Sequence, residues 1–134
     1  LSYEKKKISK KKIIEMEKKK TGKLFSFCCA APAIIKNKSI KEIKFFENIG
    51  LNIGLLFQIS DDLIDFRGDS KKAGKKTGKD QKKGKATLIN LLGYKNAIKY
   101  CDKIIFEINK NLKKYGSKSK NIKETLDYIL NRDK

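Results

Sequence analysis

Four aspartates lie close together in a chain that is otherwise strongly basic. They fall in FQISDDLIDFRGDS, residues 57–70, whereas the whole chain of 134 residues has 34 Lys and Arg against 15 Asp and Glu, a formal net charge of +19. Residues three and four positions apart share a helix face, so Gln58, Asp61 and Asp65 line up. Asp62 lies beside them. Oxygen ligands of this kind, together with substrate phosphates, are typical of a Mg²⁺ site.

Like charges on one helix face repel one another, so this stripe of carboxylates needs a compensating cation. Lysines elsewhere in the chain could supply it through surface ion pairs, each contributing about 0–1 kcal/mol. The functional alternative is a divalent cation bound together with a polyphosphate. The loop KKAGKKTGKDQKKGK, residues 71–85, would then neutralise the rest of the anion. Both interpretations remain open from the residues alone.

Several other site types are excluded by spacing. The acidic stretch does not fit the D-x-[DN]-x-[DN]-G pattern of an EF-hand loop, and the glycines of residues 71–85 are not spaced as in a Walker A loop. The chain has no histidine, and its cysteines, Cys28, Cys29 and Cys101, form no C-x-x-C pair, so ordinary zinc spacings are absent. The apolar run at residues 24–35 is too short to span a bilayer.

Lysine supplies nearly all of the positive charge, since arginine occurs only at Arg67 and Arg132. A nucleic-acid binder commonly uses arginine for two-pronged contacts with phosphates and bases. Lysine, isoleucine and asparagine all have A/T-rich codons, so most lysines are interpreted as decoration of solvated helix faces. A basic helical module that binds nucleic acid or an acidic membrane is the alternative function, because a positive field attracts polyanions.

The hydrophobic pattern predicts an all-α protein in one domain. Proline occurs once, at Pro32, and no run of alternating β-branched residues stands out. A first helix, basic before Gly22 and apolar after it, is expected to kink or end near Ala31. Further helices are expected over residues 40–66, 86–92, 96–114 and 122–131, with a capping box at Ser39 and Glu42 and loops at residues 37–39, 68–84 and 116–120.

Two glycines, Gly50 and Gly54, fall inside the helix expected over residues 40–66. Each costs helix stability relative to alanine. Their four-residue spacing puts both on one face, where the absence of side chains would let a neighbouring helix approach closely.

The motifs together resemble one known family, the trans-isoprenyl diphosphate synthases, which include farnesyl and geranylgeranyl diphosphate synthases. FQISDDLIDFRGDS followed by GKKTGKDQKKGKATL resembles their second aspartate-rich motif. KKTGKLFSFCCA, residues 19–30, resembles their K-T-[GA]-x-L helix, and the tail YILNRDK resembles the bacterial farnesyl-type ending. The resemblance covers residues 20–134. It implies that residues 1–134 are one partial domain, the C-terminal portion of an isoprenoid-synthase helical bundle.

The resemblance also implies roles for matching positions. Asp61 would be the principal ligand of a Mg²⁺ ion bound to the allylic diphosphate, and Asp62 and Asp65 would support the metal shell. Gln58 would line the cavity near the allylic chain. The residues implied to bind or lie beside the diphosphate are Lys20, Thr21, Lys75 and Lys85, and two further positions, Asp80 and Thr87, match the motif.

The implied activity is a prenyltransferase of isoprenoid biosynthesis, which joins an allylic diphosphate to isopentenyl diphosphate with Mg²⁺. As in the family, the full-length form is expected to be a cytoplasmic homodimer. The chain lacks the family's first aspartate-rich motif and its upstream basic cluster for isopentenyl diphosphate, and it begins with Leu1. It is therefore expected to be a C-terminal fragment of a full synthase, a truncated product or one part of a split enzyme, and to be inactive or nearly so alone. A regulatory subunit of a full synthase is a further alternative.

Overall fold

The computed structural model describes residues 9–73 and 87–131, and within these ranges the protein is helical and contains no strand. The all-α prediction is therefore confirmed. The elements in chain order are α1 (Lys10–Glu17), a π-helical turn (Lys18–Gly22), α2 (Lys23–Ile35), α3 (Ile40–Ala73), α4 (Leu88–Leu92), α5 (Tyr94–Leu112), a 3₁₀ turn (Lys113–Ser119) and α6 (Lys120–Asn131). No helix within the described ranges is both long enough and apolar enough to cross a membrane.

The long helix α3 is the centre of the fold. It begins where predicted, with the Glu42 backbone N–H donating to Ser39 Oγ at 3.2 Å. Apolar residues along α3 are buried in a core shared with α4, α5 and α6: Ile49, Ile53, Leu56, Ile59 and Leu63. Ser60 is also buried, and its hydroxyl donates to the Ile129 carbonyl at 2.9 Å, which ties α6 to α3.

Helix α3 continues beyond its predicted end. Residues 68–73, which were expected to begin a loop, are helical in the structure. Gly68 lowers helix stability by only about 1 kcal/mol, and each residue added to an existing helix gains a backbone hydrogen bond. Glycine alone was therefore too weak a stop signal. The rest of the predicted loop, residues 74–84, lies outside the described residues.

Helices α2 and α3 approach so closely that their backbones touch. A Cβ at Gly50 would overlap the Phe25 carbonyl oxygen and lie 2.5 Å from Ser26 Cα. A Cβ at Gly54 would lie 2.6 Å from Gly22 Cα. The predicted use of Gly50 and Gly54 for close packing is thus confirmed.

Pro32 was expected to kink or end the helix near Ala31, and the structure shows that it does not end it there. The helix runs on to Ile35, and the backbone N–H of Lys36 donates to the Pro32 carbonyl at 3.0 Å. Proline removes one donor from the ladder, but its carbonyl remains available. Two residues after the end of α2, Asn37 has a left-handed φ of 49°, and its N–H donates to the Ile34 carbonyl at 2.9 Å.

The remaining helices occur close to their predicted positions. Helix α4 begins after Thr87, whose hydroxyl accepts from the Asn90 backbone N–H at 3.2 Å. Helix α5 starts two residues before its predicted start and ends two before its predicted end, and α6 also starts two residues early. The predicted polar turn over residues 116–120 is a 3₁₀ turn that begins three residues earlier, at Lys113.

Candidate functional site

The site is built where the π-helical turn meets the second half of α3. The turn joins α1 to α2 so that residues 10–35 form one continuous helix. A π-helical turn of this kind is often found at functional sites. Gly22 at its end is buried against α3, where a Cβ would lie 3.3 Å from Leu51 Cδ2. This contact fixes the two preceding residues, Lys20 and Thr21, opposite the carboxylate stripe.

A cavity of about 650 Å³ lies between these elements. Six predicted site residues line it together: Lys20, Thr21, Gln58, Asp61, Asp62 and Asp65. Asp61 and Asp62 are half-buried, whereas Asp65 is exposed. Thr87 lines the same cavity from the start of α4. The structure thus gathers residues from three separate parts of the chain.

One hydrogen bond connects the π-helical turn to α3 across the cavity wall, and a second continues from it along α3. The Thr21 hydroxyl donates to Gln58 Oε1 at 3.3 Å. The Gln58 amide nitrogen donates to Asp62 Oδ1 at 3.5 Å, a long and therefore weak bond. Because the acceptor and donor of one amide are both used, Gln58 orients Asp62 with respect to Thr21.

Three predicted positions of the lysine-rich loop, Lys75, Asp80 and Lys85, lie outside the described residues. The contacts of Lys75 and Lys85 with diphosphate and the motif match of Asp80 therefore stay predictions. Thr87 has a structural role in addition to its place on the cavity wall, since its hydroxyl caps α4.

Glu17 was not predicted from the sequence as a site residue. It is the last residue of α1, is only 4% exposed and lines the same cavity. The pKa of its carboxyl is raised to about 7, chiefly by burial and also by the charge of Asp62, while the charge of Lys20 opposes the shift. Its spacing carried a signal, because Glu17 precedes Lys20 and Thr21 by three and four residues and so shares their helix face.

The donor set suits a hard cation. The cavity offers carboxylate, amide and hydroxyl oxygens, which are the ligands of Mg²⁺ rather than of soft metals. Within the described ranges, no three His, Cys, Asp or Glu side chains are grouped as a complete metal site. That fits an ion held by one or two carboxylates and completed by water and substrate phosphates.

Comparison with known proteins identifies the family. The polyprenyl synthetase family model matches residues 1–129. The chain is 33% identical over 115 residues to a farnesyl diphosphate synthase of Micrococcus luteus, covering 86% of this chain and 40% of that protein. It is 29% identical over 133 residues to a farnesyl diphosphate synthase of Bacillus subtilis, covering 99% of this chain and 45% of that protein.

A solved structure agrees with the sequence relatives. The geranyltransferase of Helicobacter pylori, complexed with magnesium and isoprenyl diphosphate, matches with a TM-score of 0.70 and 27% identity, over 98% of this chain and 43% of that one. The chain belongs to the polyprenyl synthetase family, as its motifs indicated. It spans about 40% of the length of the curated relatives it matches.

Proposed function

We propose that this chain supplies the second aspartate-rich helix and the Lys-Thr turn of a Mg²⁺-dependent prenyltransferase. The proposed reaction joins an allylic diphosphate to isopentenyl diphosphate. One observation carries the proposal: a single cavity is lined by Lys20 and Thr21 from the π-helical turn and by the three aspartates of α3. A cation-binding face and a phosphate-binding side chain therefore meet in one place.

Each side chain has a task that its position supports. Lys20, exposed at the cavity wall, would hold the diphosphate by charge. Asp61, with Asp62 and Asp65, would hold Mg²⁺, which supplies charge stabilisation to the diphosphate as its bond to the allylic carbon breaks. Gln58 keeps Asp62 oriented through its amide.

The proposed bond formation between carbon atoms needs an apolar surface that excludes water, and it needs no nucleophilic side chain. Loss of diphosphate would leave an allylic carbocation, the alkene of isopentenyl diphosphate would form a carbon–carbon bond to it, and the resulting cation would give up a proton to the released diphosphate. Water would quench the cation, so it must be excluded. Met16, Phe57 and Ile64 line the cavity beside the polar groups and supply apolar surface for this purpose.

The chain would act together with the complementary portion of the family fold. Its 134 residues contain one aspartate-rich motif, and the relatives it matches are more than twice as long. Facing carboxylates and a binding cluster for isopentenyl diphosphate would come from that portion. We further propose that the complete form is a homodimer that works in the cytoplasm, as the resemblance implies.

The decisive experiment measures Mg²⁺-dependent diphosphate release by the full-length protein, with dimethylallyl or geranyl diphosphate and isopentenyl diphosphate as substrates. Asp61→Ala is expected to lower turnover by about 100-fold or more, because one preorganised charge-stabilising group is lost. Glu107→Ala, which removes an exposed carboxylate from α5, is the matched control and should leave turnover unchanged. Full activity of Asp61→Ala would overturn the assignment.

A further inference from the structure

One carboxylate oxygen of the cavity is fully buried and has no hydrogen-bond partner among residues 9–73 and 87–131. It is Oε2 of Glu17, which is 4% exposed as a whole residue. A buried acceptor left without a partner costs about 1–3 kcal/mol, and more when it is charged. Stable burial of Glu17 therefore requires a cation or a proton to reach that oxygen.

Lys20 does not fill this role. It lies on the same helix face three residues later, yet its side chain is exposed and makes no hydrogen bond to Glu17 Oε2. Its charge lowers the pKa of Glu17, but burial and the charge of Asp62 outweigh it. The lysine is therefore free to turn toward an anion in the cavity.

The position of Glu17 complements the aspartate stripe. Asp61, Asp62 and Asp65 all project from one helix, α3, whereas Glu17 enters the cavity from the end of α1. Mg²⁺ prefers octahedral coordination, and ligands on one helix face cover only one side of an octahedron. Glu17 is a carboxylate on a second helix, and it lies close enough to Asp62 that the charge of Asp62 adds to burial in raising the pKa of Glu17. It therefore offers a ligand from another direction.

We infer that Glu17 is an additional oxygen ligand for a divalent cation in this cavity, acting from α1 while the aspartates act from α3. The inference rests on the metal site of the proposed function and adds to it a residue outside the aspartate-rich motif. Binding would satisfy the buried Oε2, and the cation would offset the repulsion between Glu17 and Asp62. Glu17 and one aspartate of the stripe would then share one ion, with waters and phosphate oxygens completing its shell.

The test uses Mn²⁺ as a paramagnetic probe, titrated into the purified chain in the presence of inorganic diphosphate and followed by electron paramagnetic resonance. Glu17→Gln is expected to weaken Mn²⁺ binding by about ten-fold, in the range typical for losing a group that supports a metal. Glu15→Gln is the matched control, because Glu15 lies on the same helix but is exposed. It should bind Mn²⁺ as the unaltered chain does.

Asp61→Ala, measured in parallel, separates this inference from the proposed function. Weaker binding in both Glu17→Gln and Asp61→Ala supports both. Weaker binding in Asp61→Ala alone overturns the role of Glu17 and leaves the aspartate site standing. Weaker binding in Glu17→Gln alone supports the Glu17 ligand and contradicts the aspartate assignment, and unchanged binding in both variants overturns both.

Circular dichroism and thermal unfolding check that each variant is folded. Glu17→Gln should unfold no earlier than the unaltered chain when metal is absent, because it removes a buried charge. If it does not fold, Glu17→Asp keeps the charge but shortens its reach. Several-fold weaker Mn²⁺ binding by Glu17→Asp then supports a ligand, and unchanged binding overturns it.

Discussion

Along α3, the residues before Ser60 and those after it differ in how closely they pack against α2 and in the charged groups they present to the cavity. The first part packs against α2 with backbone touching backbone at Gly50 and Gly54, and its core residues are almost fully buried. The second part turns half-buried and exposed aspartates toward an open cavity. One helix thus anchors itself by close packing at one end and presents charge at the other. Rigidity at the packed end is what holds the carboxylates opposite the π-helical turn.

The largest effect on stability is expected at the packed end. Gly50→Ala would force a Cβ into the backbone of α2, and it should destabilise the fold by about 3 kcal/mol or more. Gly68→Ala is the control within the same helix, because a Cβ there meets no atom of the described part of the chain within 4 Å. It should gain about 0.5–1 kcal/mol through helix propensity. Chemical denaturation measures both, and equal effects of the two substitutions would refute the contrast.

The next effect concerns pH at the charged end. The pKa of Glu17 is raised from 4.5 to about 7 in the folded state, so the folded chain binds the proton more tightly than the unfolded chain. Without metal, stability should therefore fall as pH rises from about 4.5 to 7, by roughly 2 kcal/mol, and then level off. Burial is the largest cause of this shift, the charge of Asp62 adds to it and that of Lys20 opposes it. Burial also raises the pKa of Tyr100, and the charge of Glu17 adds to that shift.

Thermal unfolding across this pH range, in the unaltered chain and in Glu17→Gln, checks the prediction. The difference in stability between the two proteins should grow with pH in favour of Glu17→Gln. A constant difference would show that Glu17 does not titrate between about pH 4.5 and 7. The raised pKa of Glu17 would then be wrong.

A smaller effect is expected at the boundary between the two ends. Ser60→Ala removes the hydroxyl that donates to the Ile129 carbonyl and should cost about 1–2 kcal/mol. Thr125→Ala is a matched control, since its hydroxyl also donates to a carbonyl, that of Asn121, but at an exposed site. Its effect should stay within about 0.5 kcal/mol. Equal losses in the two variants would mean that burial of Ser60 contributes nothing.

The labelling rates of the native cysteines report on packing without any mutation. Cys28 is exposed, whereas Cys101 is buried in the core and burial raises its pKa to about 12. Since the thiolate is the reactive form, a thiol reagent should label Cys28 quickly and Cys101 only as the chain opens. Mass spectrometry of the labelled peptides measures the order. Early labelling of Cys101 would show that the core around α5 is looser than the structure indicates.

Much of the fold followed from sequence because its signals are local. The apolar period located α5 and α6 to within two residues at each end, and Ser39 marked the start of α3. The predicted end of the helix near Pro32 was wrong because proline removes only one hydrogen-bond donor, and the helix has enough other contacts to continue. Gly68 misled because a single glycine is a weak stop.

The site could be predicted only in part. The helical period placed Gln58, Asp61 and Asp65 on one face, and the motif resemblance connected them to Lys20 and Thr21, more than thirty residues away. That these groups line one cavity depends on packing at Gly22 and Gly54, which no local pattern expresses. Glu17 was not predicted because a glutamate among lysines is typical of a solvated helix, and its spacing from Lys20 and Thr21 became informative only once its burial was known.

The central claim is that the aspartates of α3 bind diphosphate through a divalent cation. Calorimetric titration of inorganic diphosphate into the chain, with Mg²⁺ and with a chelator, at high salt, tests it most directly. Affinity is expected to rise at least about ten-fold with Mg²⁺ and to lose that gain in Asp61→Ala. Equal affinity with and without Mg²⁺, retained in Asp61→Ala, would contradict the claim, because the lysines alone would then hold the anion.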